Sequence, residues 1–60
     1  MIAITELGNS RYKIVIEKAC YIVENANNNK EAVIRFAKHL AEVIHMYDEY
    51  ELKVSYTAVS

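Results

Sequence analysis

Arg11-Tyr12-Lys13-Ile14-Val15-Ile16-Glu17 reads in two ways, and the fold turns on which is taken. With a period of two, Tyr12, Ile14 and Ile16 share one face, as in a strand with one buried side. With a helical period, Val15, Ile16, Ala19, Cys20, Ile22, Val23 and Ala26 fall on one stripe, and Ser10 stands where a cap belongs. Two observations favour strands. Ile14, Val15, Ile16, Ile22 and Val23 are β-branched and lose rotamer freedom in a helix. Just upstream, Gly8-Asn9 supplies positive φ at low cost, a hairpin signal. With those residues as the turn, Glu6 faces Arg11 across the hairpin as an opposite-charge pair.

Outward from this stretch, the Asn-rich run from Asn25 to Asn29 ends the first piece of the chain. From Lys30 to Tyr47 the residues Val33, Phe36, Ala37, Leu40, Val43, Ile44 and Tyr47 keep helical spacing, with Asn28 or Asn29 as N-cap. From Tyr50 to Ala58, apolar and polar residues alternate, which predicts a strand with one buried face. The expected order is strands over 2–7 and 11–17, a possible third over 20–24, a helix over 30–47 and a strand over 50–58. That is a small α+β domain of two layers, ββ(β)αβ, one helix on one face of a sheet. The helical reading of residues 11–26 gives βααβ as the alternative.

Length and composition exclude several classes. Sixty residues, 53% hydrophobic and 25% charged, allow one domain and are too apolar for a disordered tail. Seven Lys+Arg against eight Asp+Glu leave no basic excess of the kind nucleic-acid binders carry. No apolar run approaches the ~18 residues of a membrane span. A lone Cys20 and an unbasic start point to a reducing, cytoplasmic setting. A chain this short buries only about 60% of its unfolded surface, which raises the expectation of self-association or a larger partner.

The passage from Tyr21 to Ala32, Tyr-Ile-Val-Glu-Asn-Ala-Asn-Asn-Asn-Lys-Glu-Ala, resembles the strand-to-helix step of small bacterial and phage ββαβ proteins. The resemblance carries no functional motif and implies phage-like small size alone.

Chemistry-bearing constellations are sparse. His39, Glu42 and His45 lie on the expected helix, but the histidines are six apart, roughly 240° around the axis, and cannot chelate one ion together. Cys20 sits among Ala19, Ile22 and Val23, the setting of a buried, inert thiol. No nucleophile elbow or phosphate-cradling loop is present, and one helix on one sheet leaves little room for a pocket of ~300 Å³. The expectation is therefore no enzyme, no metal and no cofactor.

Two surface features stand out. Asp48, Glu49 and Glu51 follow the helix, where negative charge opposes the macrodipole, and would suit a protein partner with a basic surface. In the Gly8-Asn9 register, Ile2, Ile4 and Val15 share the outer sheet face, an association surface for a homo-oligomer; a one-residue slip would turn the two isoleucines inward. The expected function is a small non-catalytic protein-binding regulator or inhibitor, by analogy a phage-type factor acting on a host enzyme or defence protein in the host cytoplasm. The alternatives are a nucleic-acid-binding regulator using Arg11, Lys13 and Lys18 with Tyr12 and Tyr21 interleaved, or a structural homodimer.

Overall fold

The computed structural model describes residues 1–25, 27, 29–48 and 52–59. Three strands come first: β1 (Ile2–Gly8), β2 (Arg11–Ile16) and β3 (Ala19–Glu24). The helix α1 (Lys30–Val43) and a last strand, β4 (Val54–Thr57), follow. The strands form one sheet in the order β3-β2-β1-β4, with β1–β2 and β2–β3 antiparallel and β1–β4 parallel. The chain is thus the small α+β domain, ββ(β)αβ with the third strand present, that the β-branched run around Ile14 predicts. Residues 11–16 and 19–24 are strands, not the helix of the alternative reading.

One face of the sheet is buried. Ile2 pairs with Ile16, Ile4 with Ile14 and Glu6 with Tyr12, so the even positions of β1 and β2 share that face. Val33, Ala37 and Ala41 of α1 close over Ile2, Ile4, Tyr12, Ile14 and Ile16. The helix packs on β1 and β2 and leaves β3 at its flank. Its contact line is mostly alanine. Phe36, Val43 and Ile44, read in sequence as stripe residues, are 44%, 63% and 57% exposed, whereas Ala41 is fully buried. Small side chains at i and i+4 let the helix axis approach the sheet and place the bulky residues at the margins.

The hairpin register corrects the sequence reading. Asn9 and Ser10, not Gly8 and Asn9, form the turn, with φ of 54° and 62°. Gly8 (φ 82°) pairs with Arg11, and an irregularity between Glu6 and Gly8 leaves one extra residue on β1. The shift is one position, and in a strand one position exchanges the faces. Ile2 and Ile4 therefore become core, 1% and 0% exposed, and cannot form an outer patch with Val15. Glu6 faces Tyr12 rather than Arg11.

Both ends of α1 are defined. Asn29 is the N-cap, its side-chain oxygen accepting from the amides of Glu31 (3.0 Å) and Ala32 (3.3 Å). At the other end the helix stops at Val43, earlier than the expected Tyr47. Met46 takes φ 56°, and the amide of Tyr47 donates back to the carbonyl of Ala41 at 3.0 Å. β4 is likewise shorter than the alternation from 50 to 58 suggests; Tyr50 and Glu51 lie outside the described residues.

Candidate functional site

The exit of α1 brings three exposed apolar side chains close together in sequence. Val43 and Ile44 end the helix, and Met46, two residues on, is 87% exposed. Three apolar residues so close in sequence would normally turn at least one inward. Here the left-handed backbone at Met46 ends the helix, and the next residue, Tyr47, returns to the core, its amide donating to the carbonyl of Ala41. Asp48, also exposed, follows after Tyr47. The other two acids of the expected patch, Glu49 and Glu51, lie outside the described residues.

His45 anchors this exit to the sheet. Its Nε2 lies 2.9 Å from the hydroxyl of Tyr21, and the two rings meet edge to face at 81°. The sequence reading made His45 a solvent-facing residue; it is half-buried, because the helix end passes beside β3. His39 and Glu42 stay exposed. Tyr47 reaches the β2–β3 turn, its hydroxyl donating to Oε1 of Glu17. Two aromatic hydrogen bonds thus hold the chain where Val43, Ile44 and Met46 project.

A second cluster closes the far edge. The hydroxyl of Tyr56 donates to Oε2 of Glu6, the amide of Val59 donates to Oε1 at 3.2 Å, and the Lys30 ammonium sits 4.7 Å from the Tyr56 ring centroid. The two donated hydrogen bonds, with help from Lys30, hold the Glu6 carboxyl below its ordinary range. Burial, then the Glu6 carboxylate, push the Tyr56 phenol upward. The cluster clamps β4 to β1.

Between α1 and β3 runs a groove of about 340 Å³, lined by Val23, Glu24, Asn25, Ala32, Val33 and Phe36. It is larger than the sequence reading allows for, because the helix sits over β1 and β2. Glu24 is the one titratable group in that lining, so the groove offers no acid–base pair.

The remaining sequence candidates separate by strand parity. Arg11, Lys13 and Val15 project from the outer face, opposite Glu24, Ile22 and Cys20 of β3. Lys18 occupies the β2–β3 turn. Tyr12 is buried under the helix and Tyr21 points to the same side, so neither tyrosine interleaves with the basic residues. Cys20 is exposed, not buried: the core-facing positions of β3 are Ala19, Tyr21 and Val23. Among the described residues, no helix is long and apolar enough to cross a membrane. Comparison with family models, with curated proteins and with solved structures finds no match.

Proposed function

We propose that this chain is a small non-catalytic regulator that acts by occupying the surface of a protein partner. Met46 carries the reading. A large apolar side chain, 87% exposed, stands on a backbone conformation that favours glycine, so folding gains nothing from it. Binding would gain. Val43, Ile44 and Met46 offer an apolar anchor, and the acids that follow in sequence, Asp48 with Glu49 and Glu51, add negative charge. The partner that fits has a hydrophobic recess bordered by Lys or Arg, with the acids acting mainly on association rate. A phage-type inhibitor of a host enzyme or defence protein in the host cytoplasm is the setting this chemistry suits by analogy.

The test uses immobilised parent protein, Met46→Ser, and an Asp48→Lys/Glu49→Lys double variant as baits in cell lysate at low salt. A specific partner should be retained by the parent and lost from Met46→Ser. The double variant should retain less of it, and the difference should shrink as salt is raised. Equal recovery of that partner by all three baits would overturn the proposal.

A further inference from the structure

The free edge of β3 has a pattern that matches itself. Strand order leaves β3 and β4 at the two margins of the sheet. β4 is four residues long and is preceded by Lys53, the kind of short edge that resists further pairing. β3 is different: Ala19-Cys20-Tyr21-Ile22-Val23-Glu24 is six residues without Pro or Lys, and its single charge is at one end. Ile22, at its centre, is 57% exposed.

We infer that β3 pairs antiparallel with β3 of a second copy, about a two-fold axis at Tyr21, to give one eight-stranded sheet with both helices on the same side. Hydrogen bonding allows it. The β2–β3 connection is the two-residue turn Glu17-Lys18, closed by the pair Ile16–Ala19. In such a hairpin the closing pair exchanges both its hydrogen bonds. By alternation Ala19, Tyr21 and Val23 then turn their main-chain groups toward β2, and Cys20 and Ile22 turn theirs outward. An axis at Tyr21 sets Cys20 against Ile22 of the second copy, and Ile22 against its Cys20, with outward groups meeting outward groups.

Charge selects this register. The same axis places Lys18 opposite Glu24 of the second copy and Glu24 opposite its Lys18, so two opposite-charge pairs form by symmetry. Moving the axis to Ile22 sets Glu24 against Cys20. Moving it to Cys20 sets Ile22 against Lys18. Neither pairs the charges. On the helix side, Ala19 meets Val23 and the two Tyr21 rings meet each other, covering β3 where α1 does not. The groove beside Phe36 then borders the second copy's Glu17-Lys18 turn.

The area fits a reversible dimer. Six residues at ~3.4 Å each give an edge of about 20 Å, and with a depth of 18 Å it offers on the order of 350 Å² per copy. That is below the ~800 Å² per partner of a standard stable interface, which points to dissociation in the micromolar range or weaker. The anchor at Met46 belongs to a different proposed contact, so the two ideas fail separately.

Sedimentation equilibrium of the purified chain from about 10 μM to 1 mM should show a mass that climbs from 6.9 kDa toward twice that value. Lys18→Glu and Glu24→Lys should each raise the dissociation constant about tenfold, since each reverses two symmetric pairs. The double variant Lys18→Glu/Glu24→Lys should restore it. Circular dichroism tells a folded monomer from an unfolded chain. If a reversal unfolds the protein, Ile22→Lys takes its place and should leave a folded monomer at every concentration. A parent that stays at 6.9 kDa up to 1 mM would overturn the inference. So would folded single variants that dimerise like the parent, a folded double variant that fails to recover, or a dimeric Ile22→Lys.

Discussion

Left-handed backbone costs a non-glycine residue roughly 1 kcal/mol or more, and Met46 bears that cost at the point where helices commonly place Gly. Its side chain is 87% exposed, so truncation removes little packing. Met46→Gly should therefore raise stability by about 0.5–1 kcal/mol in denaturant unfolding, while weakening capture of the proposed partner. A loss of stability would mean that the methionine packs on something the fold needs. Glu6 and Tyr56 give a second test at this scale. The Glu6 carboxyl is held below its ordinary 4.5, so the stability it lends is present above that pH and drains as pH falls through the lower folded value. The Tyr56 phenol is held above its ordinary 10.0, so its contribution is intact below pH 10 and is lost as pH climbs beyond it. The melting temperature plotted against pH should be flat in between, with a fall on each side. Tyr56→Phe should weaken both falls, since the phenol is gone and the Glu6 carboxyl loses the main hydrogen bond that holds it down. An unchanged profile would show that the clamp adds nothing to stability.

For the elements, the surface that α1 presents to the sheet is set by Ala37 and Ala41, both at 0% exposure. Enlarging one of them would add apolar area but push the helix off Ile4 and Ile14. Ala37→Leu should thus destabilise by about 1–3 kcal/mol, read from the midpoint of urea unfolding. A gain in stability would mean that the layers have slack. The same alanines mark where sequence reading stopped short. Alternation at Tyr12, Ile14 and Ile16 was enough to identify β2, and β-branching at Ile22 and Val23 left β3 a possible third strand, since side-chain period and rotamer strain are local properties while edge pairing is not. Which helix residues touch the sheet is not local: Phe36 and Ala37 both fit the stripe, and only the position of α1 over β1 and β2 separates them. The register of β1 was hidden for a related reason. Gly8, Asn9 and Ser10 all adopt positive φ, and a turn preference at Gly-Asn cannot tell which two of the three close the hairpin. The exit of α1 was legible as an acidic segment around Asp48 with Met46 exposed beside it, while the early helix end at Val43, which no Gly or Pro announced, and the burial of Ala41, which the sequence placed among the exposed apolar residues, were not.

Across the whole molecule, proximity in sequence and proximity in space part company at β1. Its partners are the second strand and the last, so the sheet is a local meander, β1 to β3, completed by a strand from the far end of the domain. The amide of Ile2 donates to the carbonyl of Lys53 at 2.8 Å, across nearly the whole domain. During synthesis at ~5–20 residues per second, β1 would precede β4 by a few seconds. Until β4 is made, the edge of β1 that β4 covers has no partner within the chain. Nascent chains on neighbouring ribosomes would present the same bare edge, and β4 of one could settle beside β1 of another. Crowded translation is then a condition that favours strand exchange between copies.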